Sequence, residues 1–174
     1  MSFFKRTMET ETTRAIQDLL YGEIKNKING KRILDIGCEE GRLARMLVKH
    51  GAEVCGMDIN LEHITKAIAL TPGVKCQFQT GDIRKVIPFE GGFDIILATG
   101  VFEIPIIDDI KEIKKSLANI SRKLKRNGEF YTGFSGDSGV IDEDTANEFE
   151  MKYDGYIIEK AKRDKVLVER FTKN

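Results

Sequence analysis

Lys31-Arg32-Ile33-Leu34-Asp35-Ile36-Gly37-Cys38-Glu39-Glu40-Gly41-Arg42-Leu43-Ala44-Arg45-Met46-Leu47 holds a strand, a glycine turn and the start of a helix in one short run. Ile33, Leu34 and Ile36 make the apolar run of a strand buried on both faces, and Gly37 ends it where a backbone must turn sharply. Leu43, Met46 and Leu47 then recur at helical spacing. The turn between them, Gly37 to Gly41, lets main chain approach a ligand that a Cβ would exclude, with helix N–H groups pointing into the gap. A doubly buried strand followed by a turn and a helix is the repeating unit of a parallel α/β sheet, so this stretch sets the fold class.

A glycine turn after a strand is also an ordinary βα connection, and the ligand class rests on the details around it. The dinucleotide fingerprint G-x-G-x-x-G is absent, and so is the Lys-Ser/Thr ending of a phosphate loop. Glu39 and Glu40 put negative charge at the mouth of the turn. Anionic phosphates are repelled there, whereas a cationic or zwitterionic ligand is not.

On these residues, Leu34-Asp35-Ile36-Gly37-Cys38-x-x-Gly41 resembles motif I of the class I S-adenosylmethionine-dependent methyltransferases. The usual pattern is acidic-x-Gly-x-Gly-x-Gly, and this chain carries Glu39 where the middle glycine is common. The resemblance runs by motif from Lys31 to Phe134 and by order of elements to the C-terminus. It implies an α/β fold: a three-layer α-β-α sandwich on a mostly parallel seven-stranded sheet with an antiparallel C-terminal strand. It also implies a division into an N-terminal helical cap, residues 1–30, and an S-adenosylmethionine-binding domain, residues 31–174.

Length and composition set the bounds. A chain of 174 residues suits one domain with a real core. Lys plus Arg equals Asp plus Glu at 28 each, so no global field recommends nucleic acid or an anionic membrane surface. Cys38, Cys55 and Cys76 lack C-x-x-C spacing and sit in or beside apolar runs, which suits buried thiols in a reducing compartment and argues against a metal site. The N-terminal stretch has no extended apolar segment, and no run approaches membrane-spanning length, so the expected location is cytoplasmic.

Along the chain, Ile16, Leu19, Leu20, Ile24 and Ile28 predict a helix from Thr12 to Ile28, either a lid on the ligand pocket or a plain packing helix. Ala52 to Met57 reads as a second buried strand ending at Asp58, Val74 to Phe78 as a third, Phe93 to Ala98 as a fourth and Glu129 to Gly133 as a fifth. Asp58 at a strand tip can accept both hydrogen bonds of a ribose diol; alternatively, Asp58 or Asn60 caps the helix Leu61 to Leu70. Ile110, Ile113, Leu117, Ile120 and Leu124 give an apolar stripe on a helix starting at Asp108 and Asp109 and stopping at Gly128. Gly133 to Gly139 reads as a substrate-facing loop, Thr145 to Met151 as a short helix, and Tyr156 to Ala161 with Val166 to Phe171 as a hairpin.

The resemblance assigns roles residue by residue. Asp35 with Gly37, Cys38 and Gly41 would hold the methionine end of S-adenosylmethionine, Asp58 with neighbouring Ile59 the ribose, and Asp82 with Ile83 the adenine. Thr99 to Phe102 would face the methyl group, and Glu103 is the catalytic candidate, a carboxylate that could orient an acceptor or simply be solvated. His63 is expected on the second helix away from the strand tips, and His50 at a helix end as a cap. The implied activity is methyl transfer to an O, N, S or C nucleophile of a small-molecule acceptor, with nucleic acid or protein acceptors, and a homodimer, left open. A second reading is a non-catalytic cofactor-binding subunit acting with a partner protein; an NAD-dependent enzyme is disfavoured by the missing fingerprint.

Overall fold

The quoted stretch forms β1 (Arg32–Ile36), a turn and α2 (Arg42–Val48), and the rest of the chain is arranged about it. The computed structural model describes residues 3–73, 75–102, 109–135, 141–160 and 165–174, with side chains for 11–73, 75–102, 109–134, 141–155 and 166–174. The remaining elements are α1 (Phe3–Ile24), β2 (Glu53–Asp58), α3 (Leu61–Ala69), β3 (Cys76–Thr80), β4 (Phe93–Thr99), α4 (Ile110–Lys123), β5 (Leu124–Ser135), α5 (Glu143–Asn147), β6 (Met151–Lys160) and β7 (Lys165–Lys173).

These strands form one seven-stranded sheet in the order β3-β2-β1-β4-β5-β7-β6. The pairings β1–β2, β1–β4, β2–β3 and β4–β5 are parallel, while β7 lies antiparallel between β5 and β6. This is the expected architecture, with the last strand as the antiparallel one. The chain steps from β1 outward to β2 and β3, then returns to place β4 on the other side of β1. That reversal opens a crevice at the strand ends, where ligands of open α/β sheets bind. The register Ile36 with Ala98 brings Gly37 alongside Thr99 at this crevice.

Alternation along each strand sends side chains to two cores. On one face, Ile33, Ile95, Leu97, Tyr131, Val166 and Val168 pack with Ile16, Leu20 and Ile24 of α1 and with Leu43 and Leu47 of α2. On the other, Leu34, Ile36, Ile96, Ala98, Phe130, Phe134, Leu167 and Phe171 pack with Ile113, Leu117 and Ile120 of α4. The aromatic members interlock, Phe102 edge-on to Phe130 at 6.3 Å between centroids and Phe130 stacked on Phe171 at 5.7 Å. Asp109 caps α4 by accepting from the Lys111 N–H at 2.7 Å. Among the described residues no helix is long and apolar enough to cross a membrane.

Several boundaries differ from the sequence expectation, for local reasons. α1 begins near Phe3 rather than at the threonines and ends at Ile24, although Ile28 remains buried beyond it. α4 stops at Lys123, not at Gly128, because Leu124 already pairs with Phe93 in the sheet; the chain then turns through Asn127 at φ 58° before the main ladder of β5. α5 starts at Glu143 because the Asp142 carboxylate accepts from Thr145 N–H at 2.7 Å, and Met151 belongs to β6. Val74, Glu103 to Asp108, Gly136 to Val140 and residues 161–164 lie outside the described residues.

α1 lies close enough to the sheet that a Cβ built on Gly133 would stand 2.2 Å from Ile16 Cγ2. Gly133→Ala is expected to destabilise the fold by roughly 1–3 kcal/mol through overpacking, read as a shift of the urea midpoint. In an Ile16→Ala background the same substitution should cost less, and a double-mutant cycle measures that coupling.

Candidate functional site

The glycine turn is closed by backbone. Gly37 N–H and Cys38 N–H both donate to the Met57 carbonyl, at 2.8 and 3.1 Å, and Gly41 N–H donates to Cys38 O at 2.8 Å. Gly37 and Gly41 have φ of 73° and 74°, in the left-handed region. Neither has room for a side chain: a Cβ would meet Val101 Cγ2 at 2.8 Å from Gly37 and Phe78 Cζ at 2.9 Å from Gly41. Glu39, where the related motif commonly has glycine, also takes a left-handed φ of 46°. That conformation explains the glycine preference there, since a Cβ is strained in it.

Asp58, at the tip of β2, is tied to this turn. Its Oδ2 accepts from Glu39 N–H at 3.0 Å and its Oδ1 from Asn60 N–H at 2.8 Å, while the side chain is buried. The cap of α3 is Asn60, which accepts from Glu62 N–H at 2.9 Å, so the capping alternative falls to Asn60 and not to Asp58. His63 was expected away from the strand tips. The first turn of α3 instead carries it inward, and its Nδ1 stands 3.5 Å from Asp58 Oδ1, buried and without a hydrogen bond. Ile59 beside it is 65% exposed, an apolar side chain facing solvent at the crevice.

Two further buried oxygens have no partner. Asp35 on β1 is fully buried, and its Oδ2 makes no hydrogen bond; Thr99 at the end of β4 is buried, and neither does its Oγ1. Both fall by alternation on the sheet face that carries Ile33, Ile95 and Leu97. Buried polar atoms are ordinarily paired, so two orphans beside a left-handed turn mark a place where a ligand completes the bonding. Burial first, then the carboxylates of Glu39 and Asp58, push the Asp35 carboxyl up to about 8. Burial likewise pushes the Cys38 thiol upward, with Asp35 and Asp58 adding to it, so this cysteine stays protonated.

Asp82 follows β3 and is held by its own chain. Arg84 grips it as a fork, Nε to Oδ1 and the terminal nitrogen to Oδ2, both at 2.9 Å, and that contact holds the carboxyl below its usual range. Ile83 is buried, and its carbonyl accepts from Asn119 Nδ2 at 2.6 Å, with Lys85 O sharing the same amide at 3.1 Å. Asn119 thus fastens the loop after β3 to α4. Its sequence signal was a polar residue inside an otherwise apolar stripe.

α1 seals the opposite wall. Gln17 Oε1 and Asp18 Oδ1 accept from the Arg42 guanidinium at 3.0 and 2.6 Å, joining the helix to the start of α2. His50 is not a cap; its Nε2 meets Tyr21 Oη at 2.5 Å on the outside of the molecule. The strand ends therefore bring Asp35, Gly37, Cys38, Gly41, Asp58, Ile59 and Thr99 to one crevice, with Asp82 and Ile83 on the loop after β3, the strand beyond β2. Glu103, the catalytic candidate, lies outside the described residues. Among the described residues no group of three or more His, Cys, Asp or Glu is placed to hold a metal.

The model of a family described as methyltransferase domain matches residues 33–128. An uncharacterized methyltransferase of Schizosaccharomyces pombe is 35% identical over 92 residues, covering 52% of this chain and 63% of that protein. The chain thus spans less than two thirds of the length of that relative. The crystal structure of a TehB-like SAM-dependent methyltransferase from Corynebacterium glutamicum superposes with a TM-score of 0.71 at 25% identity, covering 94% of this chain and 88% of the other. Magnesium protoporphyrin IX methyltransferase from Synechocystis, solved with bound S-adenosylhomocysteine, shares the fold with a TM-score of 0.77 at 14% identity, covering 100% of this chain and 89% of that one.

Glu39→Gly relieves a left-handed side chain at the cost of some unfolded-state entropy, and should raise the unfolding free energy by roughly 0.5–1 kcal/mol in chemical denaturation. Asp35 gives a pH prediction. Its native pKa of about 8 lies above its unfolded value, so the native state holds the proton longer. Its contribution to stability is fully present below about pH 4 and is lost as pH rises through about 8. Asp35→Asn should therefore flatten the decline of melting temperature across that window, measured in the absence of ligand.

Proposed function

Since the chain belongs to the methyltransferase-domain family, we propose that it is an enzyme that transfers the methyl group of S-adenosylmethionine to a nucleophile on a small-molecule acceptor. The observation that carries this reading is the pair of unsatisfied buried oxygens, Asp35 Oδ2 and Thr99 Oγ1, beside a turn that has no room for a Cβ at either glycine. When bound, the cofactor supplies an electrophilic sulfonium methyl.

The chain's own residues do the rest. The Gly37 to Gly41 main chain, Cys38 and the Asp35 carboxyl hold the methionine end, whose ammonium offsets the cost of a buried acid. Asp58 keeps lone pairs beyond those used by Glu39 and Asn60, and accepts from the ribose hydroxyls. Ile59 covers the sugar with its exposed apolar surface. Asp82 accepts from the adenine amino group, sharing its carboxylate with Arg84, and the Ile83 N–H meets the ring edge. Thr99, Val101 and Phe102 wall off the reacting end from water, Val101 and Phe102 being buried.

Glu39 and Asp58, joined by Asp35 when it ionises beside the cofactor's ammonium, give this pocket a negative field. It favours the cationic methyl donor over the product, which has lost the sulfonium charge, and so assists product release. Direct displacement needs no covalent enzyme intermediate, and most of its acceleration comes from positioning. Residues 1–30 act as a cover that joins 31–174 through Arg42. Cys38 and Cys55 are free and buried, which suits a reducing cytoplasmic setting.

In thermal shift, S-adenosylmethionine and S-adenosylhomocysteine should raise the melting temperature by an amount equivalent to about 2.7 kcal/mol at a hundredfold excess over Kd. NAD should leave it unchanged, and a response to NAD alone would sink the reading. Asp58→Asn keeps an acceptor oxygen for only one of the Glu39 and Asn60 N–H groups and removes the charge, so the protein should fold with some loss of stability while cofactor affinity falls roughly tenfold to a hundredfold by calorimetry. Unchanged affinity would remove Asp58 from the ribose site. Cofactor binding with turnover only after a co-purifying protein is added would instead favour a binding subunit.

A further inference from the structure

One buried orphan is left over when the cofactor site is accounted for. Glu169 of β7 is 6% exposed, and its Oε2 has no hydrogen-bond partner. Register places it opposite Thr132 of β5, which in turn pairs with Ala98, the residue before β4 ends at Thr99. Alternation puts Glu169 on the face of Leu167 and Phe171, the face that also holds Phe102, Phe130, Phe134 and Ile141. Arg170, paired with Glu23 of α1 at 3.9 Å, belongs to the other face. Thr132 Oγ1 is committed to the Ala98 carbonyl at 3.2 Å. Among the described residues no cation lies against this carboxyl, and burial alone pushes it up to about 7.

A carboxyl in an apolar, aromatic setting with no partner destabilises the fold, and such a cost is retained where a ligand relieves it. By strand order Glu169 lies on the far side of β4 from β1 and β2, which carry Asp35 and Asp58, and by register it is level with Ala98, next to the end of β4. A ligand that brings its own positive charge gains most from meeting it, and aromatic walls select an apolar body behind that charge.

We propose that Glu169 is the acceptor-binding base of this enzyme and that its acceptor is an amine carried on an aromatic or other apolar body. The proposal rests on the methyltransferase reading. The acceptor enters as an ammonium paired with the Glu169 carboxylate. One N–H bond breaks, and its proton forms the O–H bond of a neutral Glu169 carboxyl. The freed nitrogen lone pair forms the N–CH3 bond as the S–CH3 bond of the donor breaks, the electron pair staying on sulfur. The product leaves as the methylated ammonium, and the neutral Glu169 carboxyl then gives its proton to water, which restores the carboxylate for the next acceptor. A carboxyl poised near neutrality can take and return that proton where an ordinary glutamate would hold its charge.

The test uses the full chain and Glu169→Gln and Glu169→Leu, with phenethylamine and a panel of arylalkyl amines against matched phenols. Without ligand, Glu169→Leu should melt about 3–8 °C higher than the parent, because an unpaired buried acid is gone. Both variants should bind S-adenosylhomocysteine within twofold of the parent. Amines should raise the parent's melting temperature and release S-adenosylhomocysteine, and Glu169→Gln should lower that turnover at least a hundredfold. A lower melting temperature for Glu169→Leu, turnover within threefold in Glu169→Gln, or turnover confined to phenols each overturns the proposal. Cofactor binding by the parent with no turnover on the amine panel overturns it too. Absence of cofactor binding by the parent refutes the methyltransferase reading itself, and is read before any acceptor is added.

Discussion

The steric constraint at the end of β1 governs the molecule. Gly37 turns left-handed in a space where Val101 leaves no room for a Cβ, and both Gly37 and Cys38 donate to one carbonyl of β2. That pair of hydrogen bonds ties the turn to the neighbouring strand, so α2 starts from a fixed point and Asp58 comes within reach of Glu39 N–H. The Gly41 end is equally tight, because Phe78 of β3 packs against it and also against Gly56 of β2. Three strands and one helix are locked by glycines that a larger residue would pry apart.

The site accumulates acid against the interest of the fold. Glu39 and Asp58 add to the cost of ionising Asp35, and Asp58 adds to that of Glu39, with His63 and Arg14 acting against the latter. A stability-optimised chain would replace Asp35 with an apolar residue, as β1 does at every other interior position. Under the proposed function, the buried acid is an expense offset when the cationic cofactor binds. The same logic applies on the other face to Glu169, which breaks an apolar row between Leu167 and Phe171. Two unsatisfied buried carboxyls thus lie one on each side of β4, on opposite faces of the sheet.

The loop after β3 shows a different strategy. Asp82 is satisfied in advance by the Arg84 fork, and Asn119 holds the following carbonyls, so this loop is rigid before any ligand binds. Pre-organisation there lowers the ordering cost of recognition. α1 supplies the remaining wall by resting on Gly133 and clasping Arg42, which couples the helix to both the sheet and the start of α2.

What the sequence by itself determined was everything carried by short-range pattern. The apolar run at Ile33 to Ile36, the glycines at 37 and 41 and the acids ending successive strands gave the parallel sheet, the turn and the crevice residues, because strand period and φ > 0 are local properties. Local pattern also gave the hairpin of β6 and β7, while the antiparallel place of the final strand in the sheet came from the resemblance. Only the tertiary structure decided which polar groups are satisfied. His63 reaches Asp58 because α3 starts three residues after Asp58 and its first turn faces inward, while Asp82 is engaged by Arg84 because the loop folds back on itself. Glu169 was unremarkable in sequence, an acid in an alternating strand of mixed charge. It became a buried orphan only because β7 slots between β5 and β6, covering on both sides a strand that would otherwise be an edge. Burial and pairing are sums over the whole fold, and no window of sequence contains them.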